Sequence, residues 1–455
     1  MRIFQMISDP RPDRSGRCSR FPALLAGCLL VCWLAGCAQC IGIQDLPAID
    51  DAQGDGDDAL GDNDAPRGDR LVPSHGATAE HLNGVTGALQ VPEQSAITVN
   101  TDTGEISPSY GEGEPIRRSG KGVLDGIGFF PLQNGVAVVA VDALSVEDSL
   151  VASGTRPLVL LSRGDVSIRG HVLVSALGSY YSQRWEPRAG GGAGAMTASD
   201  QATGCAPGKN GFGMGGGGGG GFRHHGGAGG NSQDGLGGAG GLPADGNCSQ
   251  DPEALIGGSG GGAAGPAGAG GAGGAGGGAV QITSFTSIEI IGEPSRGDES
   301  PIHDMAADEY PTGIFANGAG GGSGGGKAPN SGGGGGGAGA GGAILLEAPR
   351  IVIRDAYLTA NGGAGGGGSS ASSFSYDGDD GDPLGGSAFG GGGDSPGGDG
   401  GTGNIEPTAG KDGIDSAGGG GGSAGQIRLH VPPEQLVLEG AVISPAPSSR
   451  APTWE

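Results

Sequence analysis

The sequence predicts an all-β chain, a parallel β-helix or solenoid whose coils are interrupted by long glycine-rich insertions. Three observations carry this expectation. Short segments alternate apolar and polar residues with the period of two that marks half-buried strands. Similar segments recur along the chain. Between them stand stretches too rich in glycine to build an ordinary apolar core, because glycine brings no side chain to bury and loses the most backbone freedom on folding.

The recurring segments occupy residues 158–176, 279–292 with a continuation from Gly313, 343–367 and 426–445. Each has an apolar pair at spacing two, a short break, a second pair, a polar or glycine position, and a third strand. Three short strands with tight corners make one coil, which cannot bury its inner face alone and must stack. Residues 136–154 have the same texture. Val141 stands 20 residues before Leu161, and Val146 stands 22 before Ile168, so 136–176 reads as two stacked coils. Asn317-Gly318 and Asn361-Gly362 fall at the same place in their copies and read as left-handed corners. The competing arrangement is an antiparallel sandwich of hairpins. Residues 76–135 read as an N-terminal β cap containing a hairpin at 95–107, and residues 136–455 as the repeats.

The insertions lie at about 188–278, 318–342 and 362–425. The 455 residues include 109 glycines, more than three times the usual share of about 7%, and most lie here. Two states fit such tracts. They are flexible loops, or they are polyproline-II-like strands hydrogen-bonded side by side, as glycine alone permits at close packing. A collagen frame does not hold.

The net charge is −25. Residues 1–36 carry five arginines and two aspartates, so their removal leaves −28. Such a surface repels phosphate backbones and excludes nucleic acid as a partner. Residues 45–70 hold nine aspartates among small residues and, within 37–75, read as a disordered acidic tether.

Residues 21–36 form an apolar run too short to span a bilayer and suited to a signal peptide. The run ends in Leu34-Ala35-Gly36-Cys37, which resembles the lipobox of bacterial lipoproteins. An earlier LAGC at 25–28 leaves too little of the run before it. The resemblance implies a signal peptide over 1–36, cleavage after Gly36, a diacylglyceryl group on Cys37 and membrane attachment through acyl chains. The expected location is the cell envelope, at the outer membrane or cell surface. The glycine tracts are similar in composition to the PGRS-type glycine-rich surface proteins of bacteria. With the strand repeats they resemble adhesin-like β-helix proteins. Neither resemblance carries catalytic residues.

Candidate sites are few. Cys205 and Cys248 suit a disulfide across the first insertion in an oxidising compartment. A metal site with His224 and His225 fits no familiar ligand spacing. Tyr180, Tyr181, Arg184 and Trp185 form an aromatic strip suited to stacking on sugar rings, or to covering the end of the coil stack. The charged residues Glu289, Asp355, Arg169 and Arg354 are scattered among copies. RGD at 67–69, 163–165 and 296–298 reads as turn chemistry. No catalytic residue, cofactor or metal is expected. The function expected is a non-enzymatic surface lipoprotein with a structural or adhesive role. Its partners would be the membrane and extracellular polysaccharide or other surface components. The alternatives are a polysaccharide-active enzyme on the same scaffold and a calcium-responsive protein, the latter suggested by the acidic run at 377–382. Oligomeric state is not readable.

Overall fold

The computed structural model describes residues 71–109, 113–176, 187–243, 248, 254–266, 269–292, 310–325, 332–370, 372–403 and 405–453. The chain there is all-β. Beyond strands it has short 3-10 turns, among them Ala79–Leu82 and Pro433–Gln435.

The strands come in threes. The first are β1 (Leu89–Val91) and β2 (Ala96–Asn100), followed by β3 (Ile106–Pro108), β4 (Gly122–Leu124) and β5 (Ile127–Pro131). Next come β6 (Ala137–Val141), β7 (Leu144–Val146) and β8 (Ser149–Ser153), then β9 (Leu158–Ser162), β10 (Val166–Ile168) and β11 (His171–Leu173). They are followed by β12 (Ala279–Ser284), β13 (Ser287–Ile291) and β14 (Gly313–Phe315), then β15 (Ala343–Glu347), β16 (Arg350–Arg354) and β17 (Tyr357–Thr359). The last are β18 (Gln426–His430), β19 (Leu436–Glu439), β20 (Val442–Ser444) and β21 (Ser448–Arg450).

Each triplet gives one strand to each of three sheets, ordered β1-β7-β10-β13-β16-β19, β20-β17-β14-β11-β8-β2-β3 and β21-β18-β15-β12-β9-β6-β5-β4. Pairing between successive triplets is parallel and in register. Val146, Ile168, Ile290 and Ile353 stand in one column. Leu150, Val172, Ile314 and Leu358 form a second, and Val139, Leu160, Ile282, Leu346 and Leu429 a third. All belong to one apolar core. The cause is the period of two, which sends alternate side chains to the same face. The other face of the third sheet is apolar as well. Val138, Ala140, Val159 and Leu161 pack there against Ala77, Leu82 and Val85 of an N-terminal strap and against Phe222 and Leu255.

The stacking expected from spacing holds in register at Val146 and Ile168. Val141, however, pairs with Ser162, and Leu161 pairs with Ala140. The hairpin expected at 95–107 is β2–β3, with Val99 opposite Ile106. Residues before 136 do more than cap, since β1 and β2 pair parallel with β7 and β8. The end of the third sheet is closed by antiparallel β4 and β5. Arg117 anchors this end. It is fully buried, and its five N–H groups donate to the carbonyls of Ile127, Gly104, Arg118, Gly120 and Gly122 at 2.6–3.1 Å. Its guanidinium also lies 5.4 Å from the Phe129 ring centroid.

The glycine insertions all leave after a strand of the second sheet (β11, β14, β17) and return to a strand of the third (β12, β15, β18). Their described residues do not form loose loops. Their backbones run in extended tracts that hydrogen-bond sideways with a period of three. In tract 332–342, Gly336 and Gly339 donate to Gly322 and Ala319, Gly337 and Ala340 to Gly262 and Ser259, and Gly335 and Ala338 to Ala417 and Gly420. The same tract accepts from Gly271 and Gly274, from Gly217 and Gly220, and from Gly363 and Gly366. It is therefore surrounded by six tracts. A three-residue turn sends successive N–H groups to three different neighbours, as the threefold polyproline II conformation requires. The close approach demands glycine: a Cβ on Gly335, Gly336 or Gly337 would overlap the carbonyl oxygens of Gly366, Ala272 and Gly218.

The Asn-Gly pairs are not left-handed corners. Among the described residues outside glycine, positive φ occurs at His75, Gln94, Asp125 and Asp355, and Gly318 and Gly362 are not among the positive-φ glycines. The left-handed corner lies between the second and third strands, at Asp355 (φ 47°) and Gly440 (φ 61°). Asn317 and Asn361 instead start the outgoing tracts within a buried polar column. Ser175 Oγ accepts from the Asn317 N–H, Asn317 Oδ1 accepts from the Asn361 N–H, and Ser444 Oγ donates to Asn361 Oδ1.

Two predictions follow from this packing. Gly336→Val destabilises the protein by more than about 3 kcal/mol in guanidinium unfolding, whereas Ala239→Val on an outer tract stays within about 0.5 kcal/mol. Arg117→Lys keeps the charge but offers three donors to five carbonyls, and it costs about 2–4 kcal/mol in the same assay.

Candidate functional site

Several expected site residues lie outside the described residues: Gly36, Cys37, the tether up to residue 70, Tyr180, Tyr181, Arg184 and Trp185, and two of the RGD triplets. Cys205 and Cys248 are disulfide-bonded with Cα atoms 5.2 Å apart, enclosing the tracts between them. His224 and His225 are exposed. Among the described residues no group of three or more His, Cys, Asp and Glu is placed to hold a metal.

The charged residues on the strands are brought together in pairs of opposite sign rather than as converging carboxylates. Arg350 donates to Glu289 at 3.0 Å, Arg354 to Glu439 at 2.8 Å, and Arg169 lies 4.0 Å from Glu147. Parallel register sets these neighbours side by side: Glu439 faces Arg354 directly. The RGD at 163–165 is engaged by the fold. Arg163 pairs with Asp142 and donates to the Leu82 carbonyl. Asp165 accepts from Thr286 and Ser287, which hold it below the usual carboxylate range.

One polar cluster is deeply buried on the outer face of the third sheet. Glu347 is 1% exposed. It accepts from Gln281 Nε2 at 2.7 Å, Thr283 Oγ1 at 3.0 Å, the Ser74 N–H at 3.1 Å and the Ser74 hydroxyl, and it pairs with His430 Nδ1 at 2.9 Å. His75 Nδ1 meets Gln281 Oε1 at 2.6 Å. Thr283, Glu347 and His430 are register partners on β12, β15 and β18, so stacking alone assembles the site. Ser74 and His75 come from the strap, whose Val72 N–H donates to the Thr453 carbonyl. Burial drives the Glu347 pKa up, but hydrogen bonds from His430 and from Ser74 outweigh it and leave the carboxyl below its ordinary value. The cluster fastens the strap to the sheet.

The exposed part of the glycine bundle has a different character. The aspartates of the run 377–382 serve as acceptors at the lattice edge. Asp377 and Asp380 accept from the N–H groups of Ser323 and Gly320, and Asp382 accepts from those of Leu384 and Gly386. Asp399 and Asp412 do the same for Gly390 and Asn231. Large side chains project outward: Phe212, Leu236, Phe374, Tyr376, Phe389 and Ile414 are 64–81% exposed. Nine of the eleven large hydrophobics exposed among the described residues lie between residues 196 and 414, outside the strands. No family model, curated protein or solved structure matches the chain.

Replacing Glu347 tests the strap cluster. A carboxylate with a lowered folded-state pKa stabilises above the unfolded value of about 4.3 and loses that contribution as pH falls through the folded value. Glu347→Gln therefore unfolds more easily by about 1–3 kcal/mol at pH 7. The gap between variant and native protein closes below about pH 4.3, as read by thermal melts across pH.

Proposed function

We propose that the protein is a non-enzymatic lipoprotein displayed at the cell surface, with a structural or adhesive role. Its strand triplets are the coils of a parallel β-helix. An acidic tether links this body to acyl chains on Cys37, and the glycine bundle forms the contact platform. The observation that carries this reading is the outward set of apolar and aromatic side chains on a bundle whose backbone groups bind one another. Phe374, Tyr376 and Phe389 stay 64–81% exposed, and exposed apolar groups held on a stiff base favour contact with a partner surface. The pairing of strand carboxylates with arginines favours this role over acid–base catalysis on a polysaccharide, which needs two unpaired carboxyl groups facing one substrate. The aspartates of 377–382 support the same reading over calcium sensing, because Asp377, Asp380 and Asp382 already accept backbone N–H groups.

Protease treatment of intact cells, with detergent phase partition, tests the display. The native protein is expected to be cut and to follow detergent, while Cys37→Ser leaves the membrane fraction. Protection of the native protein in intact cells contradicts outward display, and detergent partition of Cys37→Ser contradicts the anchor.

A further inference from the structure

Interior tracts use their N–H groups in threes. Tract 215–221 donates through Gly216 and Gly219 to Gly230 and Gly227, through Gly217 and Gly220 to Gly335 and Ala338, and through Gly218 and Gly221 to Lys209 and Ala206. The outer tracts 226–231, 235–242 and 405–414 use only part of this set. Gly226 and Gly229 donate to Gly241 and Gly238, Gly238 and Gly241 to Gly216 and Gly219, and Gly410 to Ala228. The N–H groups left over include those of Ala228, Leu236, Ala239 and Ala409. All four residues are exposed, and none of these N–H groups has a hydrogen-bond partner among the described residues.

This row offers to solvent what an edge strand offers beside a sheet. Inside the molecule, donors spaced by three seat a further glycine tract, so the chain's own tracts have the matching chemistry. We propose that the outer row is a latent docking edge for a glycine tract of a second copy of this chain, held closed by Phe212, Leu236 and Ile414. Backbone bonds tie their segments to one another: the Phe212 N–H donates to the Leu236 carbonyl, and the Gln233 N–H to the Ile414 carbonyl. Their side chains are 70%, 68% and 75% exposed. Tract-to-tract pairing leaves no room for a Cβ at most interior positions, so a leucine, isoleucine or phenylalanine at the edge holds an incoming backbone out of hydrogen-bond range. Exposed Asp234, Asp412 and Asp415 beside them add like-charge repulsion between copies. These side chains limit lattice growth as charged or bulky residues blunt an edge strand.

The test is sedimentation velocity of the Cys37→Ser chain in three forms: otherwise unchanged, with Phe212, Leu236 and Ile414 all replaced by glycine, and with all three replaced by lysine. Native and lysine forms are expected to sediment alike, and the glycine form as a dimer or larger species. The proposal is overturned if the glycine form keeps the native mass. It is equally overturned if the native form associates and the glycine substitutions abolish this, since the side chains are then the contact. Retention of the Cys205–Cys248 bridge serves as the fold control. Leu236→Gly alone, at the centre of the row, replaces the triple variant if that bridge is lost.

Discussion

Every backbone N–H and C=O removed from water must find a partner, and this chain meets that demand with very few side chains. In the strand region the partners are the triplets before and after, stacked parallel and in register. In the insertions they are other insertions, met every third residue. The two systems are continuous. Gly342 donates to Ala316, and Gly278 to Val174, where tracts leave and enter the strands. Stacking of the triplets brings the roots of successive insertions into alignment, and the insertions can then pair with one another. A single glycine tract has no apolar face to bury and the highest ordering cost of any sequence. It becomes ordered because neighbours stand on several sides of it.

Composition follows from position in this lattice. Tract 215–221, with neighbours all round, is glycine throughout, whereas the outer tracts carry Leu236, Thr408, Lys411 and Ile414. Where the lattice ends beside 318–324, aspartate side chains replace a neighbouring backbone as acceptors. Part of the acidic character is thus structural. The remainder keeps the surface charged and soluble.

Much of this was legible in the sequence. Period two marked the strands, and the spacing of Val146 and Ile168 gave the true register, because both are inward residues of the same column. At Val141 the spacing misled by one residue, since strands buried on both faces show no clear alternation: all five residues of β6 are buried. The Asn-Gly pairs misled for another reason. Asparagine suits a left-handed corner and a buried hydrogen-bond column equally well, and only the stacking of Ser175, Asn317, Asn361 and Ser444 decides between them. Glu347 and His430 were readable in principle as the fifth residues of β15 and β18. Ser74, some 270 residues from Glu347 in sequence, carries no local signal. For the tracts, composition left loop and lattice open, because both need glycine and the pairing partners lie in different insertions.

Amide hydrogen exchange across residues 333–342 tests the central claim most directly. If the tracts are held by lateral backbone hydrogen bonds, these amides exchange as slowly as those of the adjoining strand Ala343–Glu347. Exchange at the rate of an unfolded peptide, with the strand still protected, would contradict the lattice and leave the insertions as loops on a β body.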